Sequence, residues 1–386
     1  MGKRNSQSTA TPPVAALTWR QVAAWRLGRQ HLDRRAPRAE MLGVARNICG
    51  LHAQIMSSAE LTLWARVEDL EPGAVARALW EERSLVKTWA MRGTLHLLPA
   101  AEFGLWAGAL GTRRGYLKPV WLRYFGVTRE GLDRLLAAIG DALDGRELTR
   151  QELADEVARR TGSEEIGDTL RHSWGSSLKP SAFRGELCFA PSAGQNVRFT
   201  RPSRWLGPFE RLDEDAAMAE VTRRFFVAGG PATRDDFARW WGDGAALAGK
   251  LMTRLGDELA PVTIEGEPAW MLAEHVAEVA AAEPTGVVRL LPAFDQYVVA
   301  ASGHTAHLMP GDFRARVFRP QGWLSPVLLV DGRMEGVWRH ERKGRRLVVQ
   351  IEPFVRQPGW VHAAAEAEAE RLAGYLGGAL EVEWNV

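Results

Sequence analysis

Cysteine is nearly absent from this 386-residue chain. The two present, Cys49 and Cys188, lie in separate apolar runs, and neither has a partner at metal-ligand spacing. That excludes a disulfide scaffold and a CxxC zinc ribbon, and HExxH is missing as well. Both cysteines read as reduced core residues of a cytoplasmic protein. The chain also lacks an apolar run of about 18 residues and a signal-peptide hydrophobic region, so no membrane association is expected. GxxxxGK[ST] is absent, and no GxGxxG follows a strand. Neither a nucleotide cofactor nor a metal nor any other cofactor is therefore expected. The opening MGKRNSQSTATPP is polar and ends in proline. It matches the short M-G-x-x-x-[ST] lipidation pattern, but reads more simply as a disordered tail over residues 1–15.

A strong net charge is lacking too: the formal value is +2. The distribution says more than the sum. From Leu105 to Arg129 there is no acid at all, while Arg113, Arg114, Lys118, Arg123 and Arg129 are present. From Arg171 to Phe209 the only acid is Glu186, among Arg171, Lys179, Arg184, Arg198, Arg201 and Arg204. Segregated charge with a near-neutral total implies one basic face; the bland reading is solvated surface rich in arginine.

A local pattern recurs in LTWRQVA, LTRQELA and ATRDDFA, each with threonine three residues before Gln, Glu or Asp. This is the capping-box signature of a helix start. After Thr149 and Thr233 the spacing predicts two amphipathic helices and then two short strands. The pair KTWAMRGTLHLLP closes a similar stretch nearer the N-terminus. Helix, turn, helix and a two-stranded wing define a winged helix. Past Glu283 short β-type runs dominate: VVRLLPAF, YVVAA, VLLVDG, MEGVWRHERKGRRLVVQIEPF and LEVEW, with one amphipathic helix in HAAAEAEAERLAGYLGG. The expected class is α+β: three tandem winged-helix domains (16–115, 116–205, 206–282) followed by a β-barrel-like domain (283–386). The latter carries a hairpin tip with Arg342, Lys343, Arg345 and Arg346 around Gly344.

GLHAQ, residues 50–54, carries the most suggestive chemistry. Gly50 offers a helix stop. In an extended segment residues two apart share a face, so His52 and Gln54 project together while Ala53 faces the interior. Glutamine only donates and accepts hydrogen bonds, and histidine also exchanges protons near neutrality. Together they suit positioning and polarising a water, which suffices only for a good leaving group. On residue type alone, a capping histidine beside a surface glutamine is the simpler explanation of the stretch.

GLHAQ with the LWAR that follows, KTWAMRGTLHLLPA, GPATRDDFARWW, LLPAFDQYVVA and LLVDGRMEGVWR occur in an order that resembles the AlkZ-like family of bacterial winged-helix DNA glycosylases, over about residues 45–355. That family includes crosslink-repair and antibiotic self-resistance enzymes. The resemblance implies three winged helices plus a β-barrel, and a catalytic Q-Φ-Q or Q-Φ-D motif falling on His52, Ala53 and Gln54. Histidine thus replaces the first glutamine, an H-Φ-Q variant. The implied activity is monofunctional hydrolysis of the N-glycosidic bond of bulky N7-alkylguanine, whose cationic base leaves without protonation. The implied partner is duplex DNA carrying that lesion, met from the minor-groove side by the hairpin cations, with the protein acting as a monomer at the nucleoid.

Further expected DNA contacts are Arg171, Lys179 and Arg184 around a recognition helix, and Arg113 and Arg114. Trp89, Met91, Arg92, Thr94 and His96 alternate along a strand and are candidates for the lesion cleft, although Trp89 and Met91 suit a core better; Arg92 and Thr94 also suit phosphate binding or support of the HAQ segment. Asp295 and Tyr297 are also candidates, and Asp295 is as suited to pairing with an arginine. Two other functions compete: a winged-helix transcriptional regulator, disfavoured by the lack of a dimerisation coiled coil, and a non-catalytic adduct-binding protein.

Overall fold

The computed structural model describes residues 12–172 and 175–385. The expected tail falls mainly outside the described residues. Among those described, no helix is long and apolar enough to cross a membrane.

One order of elements occurs three times: short strand, helix, helix, hairpin. In the first, strand β2 (Leu51–His52) precedes helices Met56–Trp64 and Ala74–Trp80 and the hairpin β3 (Leu85–Trp89) and β4 (Leu95–Pro99). In the second, β5 (Leu148–Thr149) precedes helices Arg150–Thr161 and Glu164–His172, then β6 (Cys188–Ala193) and β7 (Asn196–Thr200). In the third, a bridge from Ala232 to Trp270 takes the place of the short strand. Helices Arg234–Trp241 and Ala245–Leu255 follow it, then β8 (Leu259–Ile264) and β9 (Glu267–Leu272). In every case the leading strand or bridge pairs antiparallel with the second strand of its hairpin.

The capping boxes at Thr18, Thr149 and Thr233 all form. Their repetition nonetheless misleads at Thr18. The strand before it, β1 (Ala16–Leu17), pairs in parallel with β8 of the third hairpin. The first repeat starts instead at β2, where no such box exists. A capping box satisfies the amides of its own helix and carries no information about which sheet the preceding residues join.

The C-terminal strands correct the barrel expectation. β10 (Val288–Leu291), β11 (Val327–Val330), β12 (Arg333–Lys343), β13 (Arg346–Pro353) and β14 (Ala379–Trp384) form one open sheet in that order. Its edge strands β10 and β14 do not pair with each other. The helix Gly359–Leu376 is the reason: it connects β13 to β14 as a crossover and lays them parallel, which a tight turn cannot do. It packs on β10 and β14. YVVAA is not a strand. The Asp295 carboxylate accepts the Tyr297 amide hydrogen bond and starts the helix Gln296–Ala300.

Two cores form, and the first repeat lies across both. Leu51, Ala53 and Leu97 belong to one with the C-terminal sheet, whereas Cys49, Val86 and Leu98 belong to the other with the second and third repeats. The strand carrying His52 runs along this seam.

Candidate active site

Cys49 and Gly50 both take positive φ, 61° and 89°. They end the helix Met41–Asn47 and turn the chain into β2. Gly50 is required there. A Cβ at that position meets a Leu98 methyl at 2.6 Å and the Leu97 carbonyl at 3.0 Å. β2 pairs with β4 so that His52 lies opposite His96, and the Ala53 amide donates to the Leu95 carbonyl at 2.7 Å. Ala53 is fully buried, His52 is 6 % exposed and Gln54 is exposed. The expectation that His52 and Gln54 project together is corrected: β2 ends at His52, which is buried like Ala53, and the chain bends at Gln54, which alone is exposed.

Two rings meet that of His52. Its imidazole stacks on Phe294, with centroids 4.8 Å apart and planes 10° apart, and meets His96 edge-on at 5.5 Å. Burial, with the Arg92 guanidinium second, pushes the His52 pKa down to about 4. The same causes, in the same order, hold His96 well below its ordinary value. His96 Nδ1 lies 3.0 Å from the Thr94 carbonyl, while His52 Nδ1 and His96 Nε2 are buried without partners. Both imidazoles are therefore neutral at pH 7.

The stretch FDQY fixes this arrangement residue by residue. Phe294, at φ 59°, covers one face of His52. Asp295 and Arg66 of LWAR form a fully buried bidentate pair, both contacts 2.7 Å. The Gln296 amide donates to the Gly50 carbonyl at 2.8 Å, and the Tyr297 hydroxyl to Gly332 of LLVDGR at 2.8 Å. Stretches far apart in sequence thus interlock around residues 50–54. Sequence reasoning does not reach Phe294 and Gln296: a positive φ at phenylalanine leaves no local signal, and Gln296 acts on backbone.

Of the lesion-cleft candidates, Met91, Asp295 and Tyr297 are buried and line no cleft. Trp89 packs on Phe189 and Phe199. The Thr94 hydroxyl donates to the Met91 carbonyl. His96 stays beside His52. Arg92, at φ 56° in the β3–β4 turn, donates to the Trp240 carbonyl at 2.6 Å and lines an open cavity.

The expected DNA contacts divide. Arg113 and Lys179 line the same cavity as Arg92, as does Arg114, whose Nη2 donates to both carboxylate oxygens of Glu214. Arg171 is engaged by Asp155, Glu164 and Asp168, and Arg184 by Glu186. Arg198 pairs with Glu147, and Arg201 and Arg204 with Asp144. Most of the second acid-poor run is thus neutralised by carboxylates from another part of the chain. On the hairpin, Arg342 donates to the Leu376 and Gly377 carbonyls, Arg346 pairs with Glu381, and Lys343 lies 3.5 Å from Glu341. Arg345 is exposed and makes no ion pair among the described residues.

With this geometry in view, the comparisons with known proteins converge. A family model described as DNA glycosylase AlkZ-like matches residues 45–375. The chain belongs to this family and is by class a DNA glycosylase. It is 38% identical over 361 residues to the interstrand DNA cross-link repair glycosylase of Streptomyces sahachiroi, covering 92% of this chain and 96% of that one. It is similar to the solved structure of the Streptomyces sahachiroi DNA glycosylase AlkZ with a TM-score of 0.86 and 37% identity, over 96% of this chain and all of that one. These matches give the regulator reading no support.

Proposed function

We propose that this DNA glycosylase acts in interstrand crosslink repair or genotoxin self-resistance, releasing bulky N7-alkylguanine from duplex DNA as a monomer. The three strand–helix–helix–hairpin repeats are read as winged helices that hold the duplex, and the β12–β13 hairpin as a minor-groove contact. The reading is supported by an exposed Gln54 carboxamide two residues after the buried, neutral imidazole of His52, where the chain leaves β2.

Alkylation at N7 makes the base cationic, so the C1′–N9 bond breaks with its electrons going to the base. The sugar is left as an oxocarbenium-like centre. Water then adds to C1′ and loses a proton to solvent. The protein has to aim that water and offer hydrogen-bonding dipoles. Gln54 is suited to fix it through both ends of its carboxamide. An imidazole held near pKa 4 is a poor proton acceptor, so His52 is assigned to orienting, and Phe294 and His96 set the plane in which it does so.

Gln54→Ala is expected to slow single-turnover base release from an N7-methylguanine duplex by about 100-fold or more, the scale of losing a positioned polar group. Duplex affinity should stay within a few-fold. Release at wild-type rate removes Gln54 from the reaction. A wild-type protein that leaves every N7-alkylguanine duplex intact, crosslinks included, overturns the substrate.

A further inference from the structure

The acid-free run 105–129 and the acid-poor run 171–209 meet at one place, a cavity of about 560 Å³. Arg92, Arg113, Arg114, Lys118 and Lys179 line it, against a single carboxylate among the described residues, Asp243. Arg114 is satisfied by Glu214. Arg92 and Arg113 are held in place by carbonyls at the end of the helix Arg234–Trp241: Arg92 by Trp240, Arg113 by Trp241 and Gly242. These bonds use only part of each guanidinium. Arg92 Nη2 and Arg113 Nε are buried with no hydrogen-bond partner among the described residues. Lys179 reaches the same turn, and a Cβ on Gly93 would lie 3.6 Å from its Nζ.

This arrangement costs stability. Burial and the neighbouring Arg113 push Arg92 down to about 10 and lower Lys179 as well. Like charges pressed together, with buried donors unused, are a debt that an anion offsets. Planar forks beside ammonium groups match the oxygens of a phosphate. The space exceeds that of a free phosphate, and Tyr116 and Trp121 line it too, which provides aromatic surface for the sugar or base on either side. Arg92 is also the charged group that acts on both His52 and His96.

We infer that this cavity seats one phosphodiester of the DNA backbone near the nucleotide that His52 and Gln54 act on, held by Arg92, Arg113, Lys118 and Lys179. The inference rests on the proposed action on DNA. It gives the first acid-poor run a single task and makes Arg92 the link between backbone contact and the imidazole pair.

The test uses the full chain and a duplex with one N7-methylguanine, in which backbone linkages around the lesion are replaced one at a time by neutral methylphosphonates. Binding is measured for wild type, Lys179→Ala and Lys118→Ala. Neither lysine side chain makes a hydrogen bond or ion pair among the described residues, so both variants are expected to fold. One linkage should stand out, its neutralisation weakening wild type about tenfold. That penalty should shrink to a few-fold in either variant, because one of the four cations that meet this linkage is already gone. A penalty of equal size in wild type and variants, or one spread evenly over all linkages, overturns the site. Inorganic phosphate is titrated in parallel: tight, Lys179-dependent binding that duplex DNA does not displace assigns the cavity to a free anion and also overturns it. Binding to the lesion duplex is read whether or not the base is released, so failure of the glycosylase reaction leaves this test standing.

Discussion

At the scale of single residues, the unusual feature is a histidine that has lost its ordinary titration. Burial and Arg92 hold His52 near 4, against an ordinary value of 6.5. If it orients water as a neutral ring, single-turnover base release at saturating enzyme should be flat from pH 8 to about 5 and fall only as pH nears 4. A rate that drops through 6.5 would mean that His52 titrates normally and serves as a base. The same shift has a sign for stability. Between about 6.5 and 4 the unfolded chain takes up the proton that the folded chain refuses, so stability is complete above 6.5 and is lost as pH falls toward 4. His96 acts in the same direction. Urea unfolding of His52→Gln should show a shallower acid loss over that window than wild type.

At the scale of elements, residues 50–54 pair with β4 and are braced by one short loop, 294–297, through Gln296 on Gly50 and Phe294 on His52. The Arg66–Asp295 pair is its anchor, with neither side chain exposed. Removing one partner strands the other charge, which costs about 3–5 kcal/mol. Arg66→Met or Asp295→Leu should therefore lower the urea midpoint sharply, and the double variant should recover part of the loss. Equal losses in single and double variants would show packing rather than charge at work. This anchor is half legible in the sequence. FDQY and LWAR are both visible as stretches, and pairing of Asp295 with an arginine is one of two readings, but which arginine depends on a contact across 229 positions. Helix starts at Thr149 and Thr233 are legible because a capping box is entirely local. YVVAA reads wrongly as a strand because five apolar residues fit either period. The role of Arg92 is obscured because its neighbours come from three segments.

At the scale of the whole molecule, the basic face anticipated from charge segregation contracts to two places, the cavity and the hairpin tip. Acids from residues 144–168 neutralise most of the run from Arg171 to Arg204. The imbalance is visible in the sequence but its compensation is not, because pairing partners lie in other elements. On the hairpin, Arg342 and Arg346 are engaged, while Lys343 and Arg345 flank the Gly344 turn exposed. Replacing Lys343 and Arg345 by alanine should flatten the plot of log affinity against log salt by about 0.9 for each phosphate no longer neutralised. Arg346→Ala, which also frees Glu381, should change the slope less. An unaltered slope in the double variant removes the hairpin from the DNA interface.

The pairing of Ala16 and Leu17 alongside Thr263 and Ile264 also has a practical outcome. Those two residues cover the outer rim of a hairpin whose own backbone groups would otherwise face solvent. Trimming the chain to begin at Thr18 bares that rim, an invitation to strand exchange between molecules. The shortened protein should elute earlier than the full chain in size-exclusion chromatography as concentration rises, and an unchanged elution would show that β8 tolerates an open flank.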